Sequence, residues 1–143
     1  MAPVTVHASA VLVGARAVLI RGPSGSGKSR LAFDLIEAGR ARRLRFARLV
    51  ADDRVFLENA SGRLVVRVPD TLAGLIELRG VGILRRDYEA SAVVGLVVDL
   101  AAADAVRLPE EDSAQVEGIK IPRLAFPPGA AALPAVLALV ASA

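Results

Sequence analysis

Apolar and β-branched residues dominate positions 4–13 and again 17–21, and the two runs part at Gly14. Runs of this kind around a glycine predict two short strands joined by a turn. After a glycine-rich segment at 22–27 the period changes. Leu31, Ala32, Leu35 and Ile36 recur at helical spacing, which predicts a helix over 28–38 with Gly39 as its stop. Positions 49–51 read as a buried strand ending at Asp52 and Asp53. Positions 55–58 and 63–68 alternate apolar with polar around Asn59-Ala60-Ser61-Gly62, a hairpin pattern. Further strands are predicted within 75–83, a segment bracketed and cut by Gly74, Gly80 and Gly82, and over 92–100 and 119–124. The apolar tract 130–143, with Pro134 inside it, is too short to span a bilayer and reads as a buried terminal helix. Hairpins mixed with a strand–helix unit predict an α/β fold with a mixed sheet, in one domain over 1–143 without repeats or linkers.

Composition narrows the class. With 143 residues, 54% hydrophobic and 23% charged, the chain can fill a core and is not a disordered segment. The absence of cysteine excludes disulfides, thiolate metal sites and cysteine catalysis, and agrees with a reducing cytoplasm. The first residues lack the features of a signal peptide, so a cytoplasmic protein with no membrane partner is expected. Sixteen of the 18 basic residues are arginine, and the formal charge is +3. That balance alone is weak support for nucleic acid as a partner. Arg40, Arg42, Arg43, Arg45 and Arg48 nevertheless gather in one stretch, expected to be an exposed loop or helix end. A docking surface is one reading of it; a nucleic-acid patch with salt-dependent binding is the weakest.

Gly22-Pro23-Ser24-Gly25-Ser26-Gly27-Lys28-Ser29 matches G-x-x-x-x-G-K-[ST] in full, after a predicted strand and before a predicted helix, which is the context such a motif requires. Glycines let backbone N–H groups converge on phosphate oxygens, and the helix N-terminus adds partial positive charge. Lys28 would reach the terminal phosphates and the Ser29 hydroxyl could ligate Mg²⁺. Lys28 is also one of only two lysines in the chain.

Nucleotide chemistry also asks for a carboxylate at the end of a neighbouring strand. Asp52 is placed for that, and Asp53 beside it is unusual, since adjacent carboxylates repel. One could serve a metal while the other takes a proton from an acceptor hydroxyl. A helix cap or exposed turn is the plain alternative. His7 is the only side chain whose ordinary titration range lies near neutrality; a packed or surface histidine is the commoner case. Glu77 and Arg79 flank Leu78, and strand alternation would place both on one face. A surface salt bridge would explain them as well.

Together these segments resemble the catalytic domain of the HPr kinase/phosphorylase family, bacterial enzymes acting on a serine of the phosphocarrier protein HPr. His7 precedes the loop at the family's distance, 22–29 is similar to its Walker A sequence, and Val50-Ala51-Asp52-Asp53-Arg54 to its V-A-D-D segment. Leu75-Ile76-Glu77-Leu78-Arg79-Gly80-Val81-Gly82-Ile83 resembles its signature L-[LI]-E-[VI]-R-G-[LV]-G-I. The resemblance implies a P-loop fold related to phosphoenolpyruvate carboxykinase, ATP or pyrophosphate as phosphoryl donor, Mg²⁺, an HPr-like protein partner and a hexamer. It implies that Asp53 is the acid/base toward the acceptor serine, that Asp52, Ser29 and Glu77 serve the metal, and that Lys28 binds phosphate. His7, Arg79 and, with a weaker alignment, Arg107 would complete the catalytic group. The chain resembles short alphaproteobacterial members, in which the regulatory N-terminal domain is expected to be absent and HPr belongs to a regulatory phosphotransfer system. It departs from the family where P-V-R-P-G-R is replaced by Ala125-Phe126-Pro127-Pro128-Gly129-Ala130. Both arginines of that stretch are gone, so the kinase direction is the safer expectation. Two rival readings keep the loop: a small-molecule kinase, and a nucleotide-binding regulatory module without catalysis.

Overall fold

The computed structural model describes residues 2–105 and 113–141. In chain order they form β1 (Val4–Val6), β2 (Ser9–Val13), β3 (Arg16–Arg21), α1 (Lys28–Arg40), β4 (Ala47–Ala51), β5 (Val55–Ala60), β6 (Arg63–Arg67), β7 (Leu75–Leu78), β8 (Gly82–Arg85), β9 (Ser91–Asp99), β10 (Ser113–Val116), β11 (Ile119–Ala125) and α2 (Leu133–Ala141). The main sheet runs β1-β5-β6-β9-β3-β2-β4, with β11 added to the last residues of β9 and β10 beyond it. β9 lies parallel to β3 and to β11, and the other pairings are antiparallel. This is the mixed α/β architecture expected from the pattern.

Both faces of the sheet are covered, as the nearly unbroken apolar runs require. On one face Val18, Ile20 and Val98 pack against Leu35 and Ile36 of α1 and Val136 of α2. On the other, Leu19, Val50, Leu57, Leu64, Val66 and Val97 form a second core among the strands themselves. Pro134 falls in the first turn of α2, where a missing N–H costs nothing.

Two bulges reset the alternation. Ala17 pairs with Val94 but Val18 with Leu96, which leaves Gly95 as the extra residue on β9. Ala10 pairs with Ala51 but Val11 with Leu49, leaving Val50 extra on β4. As a result Leu49 faces the helices, while Val50 and Ala51 both join the second core. The next residue, Asp52, therefore returns to the helical side.

Three local expectations need correction. The apolar stretch 4–13 is two strands, because it breaks at His7: β1 pairs with β5, whereas β2 pairs with β3 and β4. Gly39 does not stop the helix, which continues to Arg40. Its role is close approach, since a Cβ there would lie 2.8 Å from Ala47 Cβ. The left-handed residue past the helix is Arg42 (φ 61). Finally, Arg79 is not on a strand with Glu77. β7 ends at Leu78, and Arg79-Gly80-Val81 form the turn into β8, closed by Val81 N–H donating to Leu78 O at 3.0 Å.

Candidate active site

The segment between β3 and α1 is built around its glycines. A Cβ on Gly22 would lie 2.5 Å from Ser26 Oγ and 3.0 Å from the Leu100 carbonyl, so no larger residue fits. Gly27, at φ 97, turns the chain into α1. The first helical N–H groups thus open onto the loop, an anion-binding arrangement. Lys28 Nζ arches over the loop and donates to the carbonyls of Gly22 at 2.8 Å and Pro23 at 3.1 Å. Ser26 Oγ is buried without a hydrogen-bond partner. A buried hydroxyl in that state is costly and points to a ligand oxygen as its complement.

Opposite the loop stands Asp52, buried at 5% exposure. Its Oδ1 accepts from Ser29 Oγ at 2.6 Å and from Ser9 Oγ at 2.8 Å, and its Oδ2 from the Glu77 N–H at 3.0 Å. One carboxylate thereby ties together α1, β2, β4 and β7. The bulge at Val50 makes this possible, since strict alternation would turn Asp52 away from α1. Asp53 follows in the left-handed region (φ 70), with its N–H donating to Ser9 Oγ at 3.2 Å and its carbonyl accepting from Ala8 N–H at 3.2 Å. Its side chain is exposed. Of the two adjacent acids, one is buried and saturated with donors while the other faces solvent. Their repulsion is relieved by turning them apart.

The structure thus brings together Ser29, Asp52 and the backbone of Glu77, next to the loop 22–28 and beside Asp53. His7 is exposed, one residue before the Ala8 that pairs with Asp53. The Glu77 and Arg79 side chains are exposed and make no ion pair with each other. Arg107 lies outside the described residues. Among the described residues no group of three His, Cys, Asp or Glu is gathered as a metal cage. Mg²⁺ does not require one: it is commonly held by one or two protein oxygens with substrate phosphates and water. The Ser29–Asp52 pair beside a loop with an orphaned hydroxyl fits that mode.

Two features escaped the sequence reading. Ser9, fully buried, is the hub between Asp52 and Asp53. Its signal was a lone hydroxyl within an apolar strand. The second is an ion network behind the loop. Arg21 donates to both oxygens of Asp99, Nε to Oδ1 at 2.7 Å and a terminal nitrogen to Oδ2 at 2.8 Å. Arg123 donates to Asp99 Oδ2 and to Asp104 Oδ1. Leu100 N–H donates to Arg21 O at 2.8 Å, so the residue entering the loop is held by main chain and side chain. Burial, the largest single influence on Asp99, favours its neutral form. Hydrogen bonds and charge from Arg21 and Arg123 outweigh it and hold the carboxyl below its usual value. The hydrogen bond from Arg123 likewise lowers Asp104. The Arg21–Asp99 register that creates this network is invisible until the strands are paired.

Comparison with known proteins agrees with this fold. The family model described as HPr Serine kinase C-terminal domain matches residues 1–137. The HPr kinase/phosphorylase of Geobacillus thermodenitrificans is 35% identical, over 89% of this chain and 43% of that protein. The same-named protein of Mycoplasma mycoides is 40% identical over 54% of this chain and 22% of its own length. The solved structure of the Hpr(Ser) kinase/phosphatase from Coxiella burnetii superposes with a TM-score of 0.77 at 26% identity, covering 95% of this chain and 87% of that one. The chain spans between about a fifth and two-fifths of the curated relatives it matches.

Proposed function

The chain belongs to the HPr Serine kinase C-terminal domain family, and from that membership we propose that it is an ATP- and Mg²⁺-dependent protein serine kinase acting on an HPr-like phosphocarrier protein. The observation that carries the proposal is the division of labour between the two acids. Asp52 is buried and bonded to Ser29 beside the glycine-rich loop, while Asp53 faces solvent, open to an acceptor.

In the forward step the acceptor serine oxygen forms a bond to the γ-phosphorus and the bond to the β–γ bridging oxygen breaks. Asp53 takes the hydroxyl proton, and ADP leaves. In reverse Asp53 would return the proton to the serine oxygen. The transition state is loose, so positioning and charge neutralisation supply most of the rate. The backbone N–H groups of 22–28 and the Lys28 ammonium supply that neutralisation, with His7, Arg79 and Arg107 assigned to the same site. Bound Mg²⁺ would supply further neutralisation of phosphate charge. Ser29, Asp52 and Glu77 are its assigned holders, and Ser9 keeps Asp52 oriented. The same membership favours a cytoplasmic hexamer, which light scattering would read directly.

The test is intact-mass spectrometry of the cognate HPr after incubation with the protein, Mg²⁺ and ATP. One added phosphate, stable to acid and mapped to serine, is expected. No added mass in the presence of calorimetrically demonstrated ATP binding would refute the protein-kinase reading and direct attention to metabolite acceptors. Pyrophosphate in place of ATP decides the donor in the same assay.

A further inference from the structure

At the end of β3 remote from the phosphate loop lies a cavity of about 790 Å³, a size ordinary for small-ligand sites. With β3 six residues long, roughly 17 Å of strand separates the two sites. The wall and floor of the cavity are hydrocarbon: Val18 of β3, Leu96 of β9, Leu44 before β4 and Val140 of α2. Among the described residues four arginines line it, namely Arg16, Arg42, Arg43 and Arg45.

Among the described residues seven arginines are ion-paired, while these four, like Arg54, Arg63, Arg79 and Arg85, are not. Arg21, Arg30, Arg40, Arg48, Arg67, Arg86 and Arg123 each have a carboxylate partner. None of the four around the cavity has one among the described residues. Local structure also favours their convergence. Arg42 stands at φ 61, a conformation glycine would adopt with less strain, at the turn that follows α1. Arg16 lies across the bulge at Gly95, where a Cβ would come within 2.7 Å of Arg16 Cβ. Only the bare glycine leaves that side chain its place on the cavity wall.

Four uncompensated guanidiniums around one concavity repel one another, and a multiply charged anion relieves this. Among the described residues the floor offers no charged or hydroxyl partner, so a fully hydroxylated phosphate ester would bury polar groups against hydrocarbon. We propose that this cavity binds an anionic amphiphile, its apolar body seated between β3, β9 and α2 and its phosphate-like head held by Arg16, Arg42, Arg43 and Arg45. The site is independent of the kinase reading, and its failure would leave that reading untouched.

Isothermal titration of the full chain with dodecyl phosphate, kept below its micelle concentration, tests this. One molecule bound per chain is expected, with inorganic phosphate and dodecanol each weaker by about tenfold or more, since head and body both contribute. Arg43→Glu with Arg45→Glu should weaken binding by at least about tenfold, while Arg43→Lys retains most of it. An unchanged far-ultraviolet circular dichroism spectrum and urea midpoint show that the variants are folded. Lys28→Ala should leave amphiphile affinity unchanged. Loss of binding in Lys28→Ala would place the anion in the phosphate loop and overturn the proposal. Equal affinity for phosphate alone, or indifference to charge reversal, would overturn it too. So would binding to phosphatidic acid vesicles without binding of dodecyl phosphate, which would indicate a membrane-facing patch.

Discussion

Replacing Ser9 by Ala removes one hydroxyl from the most connected point of the site. Ser9 is fully buried, and its Oγ donates to Asp52 Oδ1 at 2.8 Å while accepting from Asp53 N–H at 3.2 Å. A hydrogen bond to a charged group contributes about 1.5–3 kcal/mol, and a neutral one about 0.5–1.5 kcal/mol. Alanine fits the space without strain and brings no water with it, so the expected loss is about 2–4 kcal/mol. For a domain of this size each kcal/mol moves the melting temperature by about 4 °C, which predicts a drop of about 8–16 °C. Urea unfolding of wild type, Ser9→Ala, Asp52→Ala and the double variant isolates the pair. The expected coupling energy is about 1.5–3 kcal/mol. Coupling below about 0.5 kcal/mol would show that Asp52 finds equivalent partners without Ser9, and would refute the claim that this serine organises the acids.

Asp53→Asn should abolish phosphoryl transfer to HPr and leave nucleotide affinity unchanged by calorimetry; transfer at the wild-type rate would remove Asp53 as the base. Lys28→Ala should weaken both nucleotide binding and turnover, and unchanged affinity would count against the loop as the nucleotide site. Gly39→Ala gains about 1 kcal/mol of helix propensity. Against that, the new methyl meets Ala47 Cβ at 2.8 Å and Ala47 N at 3.0 Å across the α1–β4 contact. Overpacking of about 1–3 kcal/mol should win, and a raised melting temperature would show that α1 can shift freely. For Asp99 the folded carboxyl titrates below its unfolded value, near 4. The stability it contributes is therefore complete above that pH and lost as pH falls through the folded value. Asp99→Asn should lower the urea midpoint at pH 6, and its deficit relative to wild type should shrink below pH 4. A deficit independent of pH would mean that Asp99 acts through packing rather than charge.

What could be read from the sequence is what depends on neighbours along the chain. The glycine-rich loop, α1, the β5–β6 hairpin and the Asp52–Asp53 pair are local patterns, because glycine spacing, helical period and turn residues act within a few positions. The same holds for the family motifs at 22–29, 50–54 and 75–83. What the tertiary structure alone decided is where those patterns meet. The bulge at Val50 turns Asp52 toward Ser29, and strict alternation along β4 would have placed it on the opposite face. Ser9 becomes a hub only when β2 lies beside β4, and Arg21 meets Asp99 only through the β3–β9 register. Arg16 joins the Arg42, Arg43 and Arg45 stretch, itself local in sequence, around one cavity because Gly95 interrupts β9 and α2 closes the far side. Strand order and register are set by contacts between segments distant in sequence, and one extra residue in a strand reverses every side chain beyond it.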